Sequence, residues 1–64
     1  MTFAKFADYQ TKEPVFVNIN HIIHVEWDTD HTDLFLTTET VVSVAQTIQD
    51  VMSEIDRLQY SAKP

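Results

Sequence analysis

Residues 14–58, PVFVNINHIIHVEWDTDHTDLFLTTETVVSVAQTIQDVMSEIDRL, decide the fold. As far as Val44 the apolar residues alternate at period two: Val15, Val17 and Ile19, then Ile23, Val25 and Trp27, then Leu34 and Leu36, then Val42 and Val44. A strand sends successive side chains to opposite faces, so each run describes a strip with one buried side and one wet side. After Thr47 the spacing changes to Ile48, Val51, Met52, Ile55 and Leu58, the stripe of an amphipathic helix. The pattern predicts an α+β fold, a small antiparallel β-meander of four to five strands with one C-terminal helix packed on one face.

The strands are expected at 15–18, 22–28, 33–37 and 41–44, and the helix at 48–59. Ahead of them, Phe3, Phe6 and two alanines suggest a first strand over 2–8, although phenylalanines three apart fit period two poorly. Tyr9 to Pro14 is polar and ends in a proline that biases Glu13 to extended backbone, which marks a connection. Turns are expected at 18–21, 29–32 and 38–40. The chain has no glycine, yet tight hairpins want positive φ. Longer loops, or asparagine and aspartate at the left-handed positions, are the predicted solution. Thr47 with Asp50 three residues on is a variant of the capping box, and residues 61–64 are expected to fray. Residues 1–64 make a single small domain.

Size and charge bound the rest. A domain of roughly 60 residues buries only about 60% of its unfolded surface and is marginal alone. Without cysteine there are no disulfides and no thiolate zinc site. Self-association remains as a remedy, and a homo-oligomer, with a dimer favoured, is predicted. Ten carboxylates stand against four scattered cations, Lys5, Lys12, Arg57 and Lys63, for a net charge of −6. That balance repels phosphate backbones and anionic lipid, so neither nucleic acid nor membrane is expected as a partner. No apolar run approaches the ~20 residues that span a bilayer. The first residues show no basic segment followed by an apolar block, so no signal peptide is expected, and a cytoplasmic setting follows.

Few residues point to chemistry. Asp28, Asp30, His31 and Asp33 form the sharpest polar cluster, with Glu39 eleven positions after Asp28. This spacing echoes a calcium loop, but the sixth position, where such a loop turns on glycine, is Asp33. The plain alternative is a solvated acidic hairpin. His21, His24 and His31 are the other candidate ligands, but His21 and His24 have opposite strand parity and cannot face one ion unless a turn intervenes. The serines, at 43, 53 and 61, have no glycine elbow beside them, and a phosphate-binding glycine loop is impossible. Glu26 and Asp28 share a strand face in the open, where burial does not tune a carboxylate. No enzyme activity and no cofactor are predicted.

Alternation leaves a second set of apolar residues. If Val15, Val17, Ile23, Val25 and Trp27 face the helix, then Phe16 and Ile22 point to the other sheet face, and Phe35 opposes Leu34 and Leu36. These three either form a second partial core closed by Phe3 and Phe6, or meet another subunit or partner protein. One helix covers one side of a sheet, which favours Phe16, Ile22 and Phe35 as an interface.

The run Val15-Phe16-Val17-Asn18, then Ile22 or Ile23 with Val25-Glu26, Asp30 and Thr32, Leu36-Thr37, Val44, and Thr47 with Val51 resembles the flagellar FlbD-like (swarming motility) family over residues 14–55. The chain departs from that pattern at Thr38-Glu39-Thr40, where the family has Asn-Gly, and in its acidic character and longer N-terminal part. The resemblance implies a non-catalytic accessory role in flagellar function and assigns no binding residue. The expected function is a small non-catalytic interaction or regulatory protein of bacterial or phage type. The alternative is a divalent-metal or small-ligand module built on Asp28, Asp30, His31 and Asp33.

Overall fold

The computed structural model describes residues 2–61. It contains five strands, β1 (Phe3–Ala7), β2 (Pro14–Asn18), β3 (Ile22–Asp28), β4 (His31–Leu36) and β5 (Val41–Val44), followed by the helix α1 (Ile48–Ser61). The α+β class, the antiparallel strands and the C-terminal helix match the sequence reading. The expected fraying of 62–64 lies outside the described residues, and Ser61 closes the helix.

The strands divide between two sheets rather than forming one. A β1–β2 hairpin makes the first, and β3-β4-β5 makes the second as a meander. The two meet where Asp8 bridges Val44. There the Tyr9 N–H donates to the Ser43 carbonyl at 3.0 Å and the Ala45 N–H to the Ala7 carbonyl at 2.8 Å. Between β2 and β3 the chain makes a single 3-10 turn, Ile19–His21, rather than a hairpin. Asn18 caps it, its side-chain oxygen accepting from the Asn20 N–H at 3.0 Å. This use of asparagine to bond backbone two residues on is why the segment turns.

The core is Ala4 and Phe6 of β1, Val17, Ile19, Leu34, Val44, and Val51 with Ile55 of the helix. In β1 the inward parity belongs to Ala4 and Phe6, so Phe3 stands exposed and Phe6 joins the main core. Among the described residues no second core closed by both phenylalanines forms. Met52 also departs from expectation. It lies one step around the helix from the stripe Val51, Ile55 and Leu58 and is about half exposed.

The register of β3 holds the main correction. Ile22 pairs with Leu36 and His24 with Phe35, so Ile23 is an extra residue in a bulge. The bulge turns Ile22 toward the core, where it packs half-buried, and leaves Ile23 67% exposed. Ile22 therefore does not join Phe16 on the opposite face. The missing glycines are also resolved differently from expectation. Positive φ falls on Lys12 (65°), Thr29 (57°) and Glu39 (62°), not on asparagine or aspartate.

Candidate functional site

Two regions hold the candidate residues. The first surrounds the β3–β4 turn. Thr29 carries the chain through left-handed φ, and the Asp30 N–H donates back to the Asp28 carbonyl. This tight closure sets Asp28 opposite His31 at the start of β4, with Asp33 two residues further along the strand. His31 Nε2 is 3.2 Å from Asp33 Oδ1 and 3.9 Å from Asp28 Oδ2. The other ring nitrogen, Nδ1, is 3.0 Å from Asp30 Oδ1.

Residues from the β1–β2 connection cover the ring. Tyr9 stacks on His31 with centroids 4.3 Å apart, and its hydroxyl donates to Asp30 Oδ2 at 2.6 Å. Lys12 Nζ stands over the Tyr9 ring, 5.0 Å from its centroid. Asp8 organises this connection by accepting from the Thr11 and Gln10 N–H groups at 3.0 and 2.9 Å, which hold its carboxyl below the usual range.

The electrostatics follow from these contacts. Asp30 raises the His31 imidazole first through its hydrogen bond, partial burial opposes this, and the charges of Asp33 and Asp28 add to the rise. Asp30 itself is lowered by the Tyr9 hydroxyl and then by His31, while Tyr9 is pushed up by Asp30. The arrangement suits a protonated imidazolium held among carboxylates.

The structure splits the predicted metal set. Ligand atoms of Asp28, His31 and Asp33 lie within 4.8 Å of one another, but Asp30 sits on the far ring nitrogen. Glu39 is in the β4–β5 turn at the other end of β4. Among the described residues His21 and His24 stay outside this group: His21 Nδ1 is 3.0 Å from Thr37 Oγ1, and His24 Nε2 is 2.7 Å from Glu26 Oε2.

Ser43 Oγ donates to Asp33 Oδ1 at 2.7 Å, and the same oxygen faces His31 Nε2. The sequence of contacts is serine, carboxylate, imidazole. A hydrolytic triad needs the imidazole between the other two, so that it can take the hydroxyl proton.

The second region is apolar. Phe16 is 64% exposed on β2. It borders an open groove of about 450 Å³ between the two sheets, lined by Val15, Val17, Leu36, Val41 and Val42 and rimmed by Asp8 and His21. Phe35 is half-buried, its ring in a T-shaped contact with that of His24 with centroids 5.2 Å apart. Ile22 is turned inward by the bulge. Of the predicted interface trio, Phe16 stands open, while Ile22 and Phe35 are half-buried. Sequence reading passed over Val41, which shares the groove and is half exposed. Its parity, opposite to Val42 and Val44, was the available signal.

Compared with family models, characterised proteins and solved structures, the chain gives no significant match. Among the described residues no helix is long and apolar enough to cross a membrane.

Proposed function

We propose that this chain is a small non-catalytic protein-interaction or regulatory protein that binds a protein partner through the apolar groove beside Phe16. The observation that carries the reading is Phe16 itself, 64% exposed on a strand whose inward neighbour Val17 is buried. A large aromatic at the rim of an apolar groove, with polar groups around it, is the anatomy of a binding hot spot. The inverted order of Ser43, Asp33 and His31 supports the non-catalytic part. A cytoplasmic setting belongs to the same proposal. The resemblance of residues 14–55 to FlbD-like proteins supports this class and makes flagellar function the first setting to try.

The test places a photo-activated benzoylphenylalanine at position 16 in the native host. A discrete adduct, heavier than a self-adduct and lost when Val41→Lys is added, is the expected result. Absence of any such adduct ends the reading.

A second reading rests on the convergence of Asp28, His31 and Asp33. Two carboxylates and an imidazole suit a divalent cation such as zinc, which would displace the proton on His31 Nε2. Trp27, next to Asp28 in the chain and paired across the strands with Thr32, lies on the opposite face of the hairpin from the cluster and reports on it through the strand. Zinc or calcium titration followed by Trp27 fluorescence is expected to shift the emission and raise the melting temperature. No change in either quantity sinks it.

A further inference from the structure

β3 pairs with β4 on one side, and among the described residues no strand pairs with its other edge. Alternate residues of an antiparallel strand turn their N–H and C=O groups to the same side, so half of those in β3 face outward. Natural edges are commonly blocked by lysine, proline or a bulge. β3 contains neither lysine nor proline, and its bulge lies at the Ile22 end, leaving His24 to Asp28 in regular register.

We propose that this edge is a self-association edge, at which a second copy of the chain pairs antiparallel with β3 about a two-fold axis at Val25. The sequence IIHVEWD is self-complementary in that register. Val25 meets its own copy once, while His24 meets Glu26, and the bulged Ile23 just beyond comes to Trp27, each twice by symmetry. The imidazole of His24 and the carboxylate of Glu26, which already meet within one strand, therefore face each other across the strands as hydrogen-bonding partners, and large apolar side chains face each other on either side.

Neighbouring registers lose this match. An axis at Glu26 sets two glutamates together, one at Trp27 sets Glu26 against Asp28, and one at His24 sets the two histidines together and leaves Glu26 without one. Only the Val25 register sets each His24 against a Glu26 of the other copy.

The side chains around the edge fit the same occupant. Ile23 is 67% exposed and Trp27 45% exposed, although both border the helix. Met52 of α1 borders the same residues of β3 and is about half exposed. Ile23, Val25, Met52 and Ile55 line a groove of about 390 Å³ at this place. In the Val25 register the partner's copy of Trp27 arrives over Ile23, at the mouth of that groove. The axis runs perpendicular to the sheet, so two three-stranded sheets become one continuous sheet with both helices on the same side. On the other face, His24 already pairs with Glu26 of its own strand at 2.7 Å. Pairing extends this into an alternating ladder of four groups. The Phe16 groove lies elsewhere and stays open.

Charge exchange at positions 24 and 26 tests the inference, because both side chains are more than half exposed and tolerate replacement. Sedimentation equilibrium of the full chain is expected to give about twice the 7.4 kDa chain mass. His24→Glu sets glutamates across the axis and is expected to raise the dissociation constant at least about tenfold. His24→Lys keeps the opposition and retains the dimer. The exchange His24→Glu with Glu26→Lys restores it to within a few-fold. Trp27 emission should shift to the blue as wild-type concentration rises and should not do so in His24→Glu. A wild-type chain that remains a monomer overturns the proposal, as does a dimer indifferent to all three variants. Neither outcome touches the photo-crosslink at position 16, which reports on the partner groove alone.

Discussion

Thr32, fully buried in the core, donates a 2.8 Å hydrogen bond from Oγ1 to the Gln46 carbonyl. Gln46 in turn accepts the Ala7 N–H on its side-chain oxygen at 3.1 Å. One residue of the β5–α1 connection thus ties β4 to β1 just ahead of the helix. A buried hydroxyl is tolerated only because it is bonded, and removing it strands the acceptor. Thr32→Val should therefore lower stability by about 1–3 kcal/mol despite its added apolar character. Thr32→Ser, which keeps the hydroxyl, should lose less. Urea unfolding of the three proteins checks this, and a neutral Thr32→Val would show that the bond contributes nothing net.

His31 makes stability depend on pH. Its folded-state pKa is raised above the ordinary value of 6.5, first by the Asp30 hydrogen bond. A raised histidine contributes its full stabilisation below the unfolded-state pKa and loses it as pH rises through the folded-state pKa. Asp30 runs the other way: its lowered pKa contributes above the usual carboxylate range and is lost as pH falls through the folded-state value. The stability gap between wild type and His31→Gln should be widest near about pH 5.5 and narrow toward about pH 9. What persists at high pH is the stacking on Tyr9. Denaturant midpoints across that range, with the His31 ring protons followed by NMR, measure both. A gap that stays constant with pH contradicts the imidazolium account. Asp30→Asn should lower the His31 midpoint.

Backbone strain sits at both ends of β4. Thr29 at φ 57° and Glu39 at φ 62° occupy left-handed backbone that penalises a Cβ, most of all a branched one. Thr29→Asn and Glu39→Asn should each raise stability by about 0.5–1 kcal/mol. Their effects should add, since the two turns share no partner. Melting curves of both single variants and the pair decide it, and a destabilised Thr29→Asn would show that threonine is held there by something other than strain.

Period two located four of the five strands, and the change of spacing at Thr47 located the helix, because burial on one side imposes those periods directly. The β1 parity was harder to read: Ala4 is small, and the eye follows Phe3 and Phe6, three apart. The bulge at Ile23 was not legible, since two adjacent isoleucines give alternation no reason to choose between them. It matters to the candidate interface, because it moved Ile22 into the core and left Ile23 outside. The hairpin cluster was legible as far as Asp28, Asp30, His31 and Asp33 are close in sequence. Tyr9 on the His31 ring was not, because that stacking depends on how the β1–β2 connection meets the second sheet. Likewise the positive φ values fell where the turns needed them, on Lys12, Thr29 and Glu39, rather than where residue preference pointed.

Thr47 is the remaining point at which local chemistry controls the whole fold. Its Oγ1 accepts the Asp50 N–H at 3.1 Å, and its carbonyl accepts the Val51 N–H at 2.9 Å. The first turn so fixed carries Ile48 beside Trp27 and Val51, fully buried, into the core. A threonine cap replaced by alanine typically costs about 1 kcal/mol. In a domain this small that corresponds to a fall of about 4–8 °C in melting temperature for Thr47→Ala. Thr47→Asp supplies the same acceptor with a charge that favours the positive end of the helix, and should match or exceed wild type. Because Trp27 lines one groove with Thr47, Ile48 and Gln49, loss of the cap should also change its emission before global unfolding. A Thr47→Ala protein with an unchanged melting temperature would mean that the Thr32–Gln46 tie, and not the cap, sets the start of the helix.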